Sequence, residues 1–463
     1  MEHCKLPMNR RRNPIAKGLL LATAFTASLA AAADQTVRII DDSEPDTRGP
    51  TPGAGNDDRG VTDATGLSVS LGELWLEYGE FVRDASGTDH LGHVRGELAA
   101  SWVARPHWEV RVATRAYGYL ESGGSDVHDL AFDYGESYVR YLGENYRVTA
   151  GAQQVTWGRI DEFPPTDRLS TQDISRYVID DLEYRRRPSV AIRYEYFWAD
   201  SKLDLLAVPR FRAAELPDRD SVWFPVNQST GEVFGLRSTP LSRDLVRNAR
   251  LDLDEPDSEG GFGARYKTTG AGLDYAITVQ KGRNSLPYFA YDPASATIST
   301  RYPTSWSAGG DLAFEALGGV VRLEALWSAD TPVTGIDGRY ATVDSLSWGV
   351  ALELFPGDGD GRLNLQLMGS RLDTDFPVLD RDETYALGGS WELPLARGRW
   401  RLNTRFHTGL YASDWYLNPE LAYTAIPATE LYLTLHHFDG SDGTPGGFHQ
   451  DNSFIAVGLR LTL

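Results

Sequence analysis

Cysteine is almost absent: the only one in 463 residues is Cys4, and it precedes the apolar run near the N-terminus rather than ending it. Disulfides, thiolate metal sites and thiol catalysis are therefore excluded beyond residue 33, and lipid attachment at that cysteine is disfavoured. Lysine is nearly missing too. Beyond residue 33 only Lys202, Lys267 and Lys281 occur, so almost every positive charge is an arginine, whose planar fork suits fixed bidentate contacts with carboxylates. Long apolar runs are also missing, since no stretch after residue 33 approaches the roughly twenty residues a membrane-spanning helix requires. If this chain crosses a membrane, it does so with strands. Positive charge is outweighed throughout. The formal net charge is -20, and the first 33 residues contribute five Lys or Arg against Glu2, a net of +4, which leaves the remainder near -24. Such a chain lacks the basic face that nucleic-acid binding demands.

What is present begins with Lys5, Arg10, Arg11, Arg12 and Lys17, an apolar run from Gly18 to Ala30, and then Ala31-Ala32-Ala33. That order predicts a secretory signal peptide over residues 1–33, cleaved after Ala33. Asn13-Pro14 comes after the arginines where a twin-arginine signal would continue apolar, so ordinary unfolded export fits better. Residues 34–65 are rich in Asp, Gly, Pro and Thr without apolar periodicity, which predicts a flexible periplasmic lead. The run Thr36–Ile40 has the look of an energy-coupling box, but no plug-sized domain comes after it.

From residue 66 to residue 463 one unit recurs: ten or more residues alternating apolar with polar or small, then a turn of Gly, Pro, Asp or Asn. This is strand patterning. In Ser189–Trp198 the side chains of Val190, Ile192, Tyr194, Tyr196 and Trp198 share one face and Arg193 and Glu195 the other; Arg399–His407 opposes Trp400, Leu402 and Phe406 to arginines. A soluble sandwich would also alternate, so the connectors decide. They run short and long in turn: Arg105-Pro106, Gly143-Glu144, Ala199-Asp200 and Pro427-Ala428 are tight, whereas Arg159–Arg186 and Pro209–Ser258 are very long and Asp84–Asp89 is read as longish. Tight turns at one rim and long loops at the other predict an all-β, transmembrane antiparallel barrel of about eighteen strands, sixteen if one hairpin is a loop, in the outer membrane of a Gram-negative bacterium. Bulges are expected near Gly72 and Gly135, where each would flip the facing of the residues beyond it. The last strand, with Leu459, Leu461 and Leu463 alternating with Arg460 and Thr462, suits recognition by barrel-assembly machinery. Trp75, Trp102, Trp108, Trp157, Trp198, Trp306, Trp391, Trp400 and Trp415 fall near strand ends, as the aromatic girdles that meet lipid and lipopolysaccharide do.

The third long connector is dense in both charge signs: Arg159, Asp161, Glu162, Asp167, Arg168, Asp180, Asp181, Glu183, Arg185, Arg186 and Arg187. Loops of this length are uncommon without a function. With a short helical turn expected over Ile174–Leu182, this one is predicted to fold inward, where opposed carboxylates and guanidinia would set size and charge selectivity. Arg111, Arg115, Arg193, Arg399, Arg401 and Arg405 are predicted to line the same passage. The run from Gly151 to Asp161, with Gln153-Gln154, Trp157-Gly158 and Arg187-Pro188, resembles uncharacterised porin-like proteobacterial barrels around a G-R-Q-x-x-x-W-G-x-x-D motif, although Ala152 stands where many of them carry Arg. A more distant resemblance is to alginate-export barrels, whose arginine-rich lumen is echoed by these arginines and by Arg322 and Arg362. Here Glu97, Glu109, Glu195, Glu315, Glu324, Glu353 and Glu392 share the inward positions, so the lining is expected to be mixed.

No nucleophile signature accompanies His407, His436 and His437, so no catalysis is expected. Neither cofactor nor metal is expected, because the acidic runs at Asp358–Gly361 and Asp252–Glu259 lack the closing bidentate Glu of a calcium loop. The expectation is a porin-like channel for passive diffusion of small hydrophilic solutes or ions, narrowed by the charged loop. A substrate-specific export or uptake pore, for an acidic polysaccharide or an apolar compound, and a non-conducting scaffold barrel stand beside it, and a homo-oligomer is left open.

Overall fold

The computed structural model describes residues 66–462 apart from 86, 105, 124–126, 178, 271 and 358; the expected signal peptide and periplasmic lead lie outside the described residues. The strands are β1 (Gly66–Ala85), β2 (Thr88–Ala104), β3 (Trp108–Gly123), β4 (Val127–Tyr134, continuing as Ser137–Leu142), β5 (Tyr146–Gln153), β6 (Ser189–Trp198), β7 (Ser201–Val208), β8 (Gly261–Thr269) and β9 (Leu273–Arg283). They continue as β10 (Thr304–Ala316), β11 (Gly319–Thr334), β12 (Tyr340–Leu354), β13 (Arg362–Asp373), β14 (Glu383–Leu395), β15 (Trp400–Gly409), β16 (Asp414–Ile426), β17 (Thr429–Gly440) and β18 (Phe454–Leu461). Each pairs antiparallel with the next, and β18 returns to β1, with Leu461 opposite Leu74 and Phe454 opposite Phe81. The result is a closed barrel of 18 strands. Closure leaves no unpaired edge, which is what a sheet immersed in hydrocarbon needs.

The polarity of the wall is inverted relative to a water-soluble fold. On β6, Ile192 is 54% exposed while Glu195 is 1% exposed. The same holds round the ring: Val112, Phe132, Ile277, Leu433 and Val457 are exposed, whereas Asp204, Asp311, Glu353, Gln366 and Thr434 are buried. An apolar outer face with charge inside is the arrangement that transfer into lipid favours. Around the rim of short turns the rings touch in sequence: Trp108 with Tyr141, Tyr141 with Tyr146, Tyr146 with Tyr194, then Tyr196, Trp198 and Tyr266. This is one aromatic girdle.

Two expected girdle members are elsewhere. Trp75 is buried inside the barrel against Tyr184, and Trp157 is buried in the third long loop. The cause at Trp75 is a bulge: the register of β1 against β2 shifts between Leu71 and Leu74, beside Gly72, and turns the side chains beyond it over. The second expected bulge is the break in β4 at Gly135, where both halves still pair with β3. The first outer connector is tight rather than longish, with Ala85 opposite Thr88.

The long loops carry structure of their own. Residues 209–260 contain helix α2 (Pro240–Asn248), capped by Thr239 and Ser242, and Arg250–Asp252 joins a three-stranded sheet with Thr297–Arg301 and Tyr288–Asp292. Phe224, Val226, Val246, Phe289 and Ile298 form its core. In the third loop the helical turn, α1, is Leu182–Arg185 rather than Ile174–Leu182, because residues 171–173 and 185–187 are held together by Thr171–Arg187 and Gln172–Arg186 pairing.

Candidate functional site

Residues 154–188 leave β5 and bond to wall residues on both sides of the barrel. The descent is made by the Trp157-Gly158-Arg159-Ile160-Asp161 run. Trp157 Nε1 donates to Asp204 on β7 at 3.2 Å, and its ring packs over Gly263, where a Cβ would sit 2.6 Å from the indole. Gly158 has φ +110°, and a Cβ there would lie 2.8 Å from the Glu324 carboxylate and from Pro164, so this bend requires glycine. Glu324 on β11 then acts as a hub: its carboxylate accepts from the backbone N–H of Arg159 (2.8 Å), Ile160 (3.2 Å) and Thr166 (2.6 Å) and from the Thr166 hydroxyl (2.8 Å). Arg159 pairs with Asp311 on β10 and with Asp274 at 3.6 Å, and Asp161 accepts from Asn364 on β13 and faces Arg322 at 3.8 Å.

The far part of the loop reaches the opposite wall. Arg176 pairs with Glu77 on β1, bonds His93 Nδ1 on β2 at 3.1 Å and Asp180 at 2.9 Å, and lies over the Trp75 ring. Arg95 on β2 donates to the Tyr184 carbonyl at 2.6 Å, and Arg115 on β3 to the Arg186 carbonyl at 2.9 Å. Arg405 on β15 holds the Ile179 carbonyl and the Asp181 carboxylate, the latter at 2.5 Å. Within the loop, Arg185 pairs with Glu162 at 3.5 Å and Arg186 with Asp167 at 3.1 Å, while Arg187 meets Asp133 at 2.9 Å and Glu215 at 2.6 Å. Burial pushes the Glu162, Asp167 and Asp180 carboxyls above their usual range, against the pull of the neighbouring arginines. Arg168 makes no ion pair among the described residues, and burial lowers its pKa. Glu183 is exposed.

The wall arginines are neutralised in place. Arg111 and Arg115 share Glu97 (3.4 and 2.7 Å), Arg193 meets Asp204 at 2.5 Å, Arg322 and Arg362 share Glu353, and Arg401 meets Glu430 at 2.6 Å. Arg399 is not part of this lining: it precedes β15 in a turn and donates to the Ala396 carbonyl. Of the glutamates expected to share the lining, Glu97, Glu109, Glu195 and Glu353 pair with wall arginines and Glu324 with the loop backbone, whereas Glu315 and Glu392 are exposed. Sequence reading missed Arg95, Arg140, Arg147, Arg176, Arg265 and Arg460, all of which bond inside the barrel. Alternation with the apolar Leu459 and Leu461 was signal enough for Arg460.

Above the loop, towards the long-loop rim, Trp223 from residues 209–260 is 1% exposed and packs among Phe81, Tyr177, Phe438, His449 and Phe454. Below it, a cavity of about 580 Å3 runs from Asp180, Asp181 and Tyr184 down to the Pro427-Ala428 turn. His436 is stacked on Phe454 and bonds the Tyr416 hydroxyl at 2.9 Å; Ser453 Oγ lies 3.3 Å from His437 but is fully buried. Among the described residues, no group of three or more His, Cys, Asp or Glu is arranged to hold a metal ion.

No protein-family profile matches the chain, and no curated protein sequence matches it. Among solved structures it is similar to OccK8 (OprE) of Pseudomonas aeruginosa, at 11% identity and TM-score 0.49, over 86% of this chain and 98% of that one. OccAB1 of Acinetobacter baumannii gives 10% identity and TM-score 0.49 over 86% and 96%, and OmpF of Salmonella typhi, solved with daunomycin, 8% and 0.42 over 86% and 98%. Neither the W-G-x-x-D motif nor a relation to alginate-export barrels emerges from these likenesses. The closed wall of 18 antiparallel strands, apolar outside and charged within, is that of a transmembrane β-barrel.

Proposed function

We propose that this protein is a porin-like channel through which small hydrophilic solutes or ions diffuse passively, and that residues 154–188 form its constriction. The observation that carries the reading is the span of that loop. It is bonded to Glu324 on β11 and to His93 and Arg95 on β2, strands half the ring apart. A passage past it is therefore bordered by loop charges on one side and wall charges on the other, the arrangement by which charged rings set selectivity. A dedicated polyanion exporter is less well supported, because the wall arginines already hold carboxylates and offer no free basic track. The reading includes no catalytic step.

The test is single-channel recording of the refolded protein in a planar bilayer, beside a variant lacking residues 161–185. Discrete steps that grow on deletion are expected. Silence from both proteins would sink the channel reading and favour a non-conducting scaffold.

A further inference from the structure

The cavity below the loop is lined by more carboxylates than arginines. Its arginines are all committed: Arg176 is shared by Glu77 and Asp180, Arg405 meets Asp181, and Arg401 and Arg460 are shared by Glu420 and Glu430. No lysine lines the cavity. Two further carboxylates, Glu73 on β1 and Glu392 on β14, line it with no arginine or lysine within ion-pair distance among the described residues. Seven carboxylates thus face four arginines.

We infer that this cavity is a cation-selective chamber, and that Glu73 and Glu392 are the residues that set its selectivity. A volume of about 580 Å3 is about 8 Å across if taken as a cube, within one Debye length of roughly 8 Å at physiological ionic strength. An ion inside it consequently feels the summed excess of negative charge rather than isolated pairs. Arg176, Arg405 and Arg460 are each fixed by two or more hydrogen bonds and Arg401 by one to Glu430, with Glu420 3.9 Å away, so none can turn to meet an incoming anion without giving up a carboxylate. Metal cations and small organic ammonium or guanidinium solutes meet no such cost. The long-rim carboxylates Asp252 and Asp254 line a different cavity and contribute little to the chamber.

The inference rests on the channel reading, and reversal potential in a potassium chloride gradient separates the two. The full-length protein should favour potassium over chloride several-fold at low salt. The double variant Glu73→Gln, Glu392→Gln should move the permeability ratio towards unity while keeping discrete steps, and Glu392→Gln alone should move it part way. Asp252→Asn with Asp254→Asn should leave it within error. Steps with chloride preferred, or an unchanged ratio in the double variant, overturn this inference alone. Absence of steps from the unmodified protein overturns the channel reading and this inference with it.

Discussion

Arg176 is the point at which the docked loop is most open to test. Its guanidinium and the Glu77 carboxylate are 3% and 2% exposed, so the pair is held away from bulk water and further fixed by the Trp75 ring and by Asp180. In Arg176→Met the side-chain volume is nearly kept but Glu77 loses its counter-charge, retaining only the Tyr432 hydroxyl at 2.6 Å. Breaking a buried pair from one side costs about 3–5 kcal/mol. Glu77 regains water only if the loop lifts, so the cost falls on the docked state rather than on the strand ladder. At about 1.4 kcal/mol per decade, the docked-to-released ratio should fall by about two to three and a half orders of magnitude. Single-channel records should then flicker to a larger level, and trypsin should cut within residues 154–188. The double variant Arg176→Met, Glu77→Gln should recover most of the parental behaviour, because replacing both charges leaves no orphan. Conductance and protease resistance unchanged in the single variant, or a double variant worse than the single, would refute the reasoning.

Three other perturbations bear on the loops and their packing. Glu324→Leu leaves the N–H groups of Arg159, Ile160 and Thr166 without their acceptor, at about 1–3 kcal/mol each, and hydrogen exchange at those amides should accelerate while β11 stays protected. Trp223→Ala empties the centre of the aromatic cluster, a loss of about 3–5 kcal/mol; proteolysis within residues 209–260 should rise with far-ultraviolet circular dichroism unchanged. Burial holds the His449 imidazole at about 3, far below its usual value. The released loop takes up that proton near pH 6.5 and the packed loop resists it, so the released state binds more protons between those values and packing weakens as pH falls through that window. Conductance should therefore change on going from pH 7 to pH 4, and His449→Gln, which cannot charge, should flatten the response; an equal response in both proteins would exclude His449 as its source.

How much of this was legible depended on whether a feature is local. Period-two alternation is local, and it placed Val190, Ile192, Arg193 and Glu195 on their correct faces, as it did the eighteen-strand scheme with its short and long connectors. A bulge is local too, but its effect is not, since one inserted residue turns over everything after it. Gly72 signalled that possibility; the facing of Trp75 and Glu77 depended on whether the shift occurred. Arg399 fell to the opposite error, because the alternation was carried one residue past the start of β15 into a turn with no inward face.

Pairing partners inside the barrel were beyond the sequence for a different reason. Arg405 meets Asp181, Asp161 meets Asn364 and Glu77 meets Arg176 across separations set by ring closure and strand stagger, not by any repeat along the chain. What the sequence did carry was the choice of residue. Lysine, a mobile point charge, is almost missing, and arginine, whose fork fixes geometry, takes its place. In a barrel whose interior is neither dry core nor free solution, that choice matters: Arg322 and Arg362 share Glu353, and Arg401 and Arg460 share Glu420 and Glu430. Each shared carboxylate ties adjacent or nearby strands, so the charged lining is part of the wall rather than a mobile fringe. In the proposed channel, a rigid lining of paired charge would leave the few carboxylates without an arginine, Glu73 and Glu392 among them, to act on a passing solute.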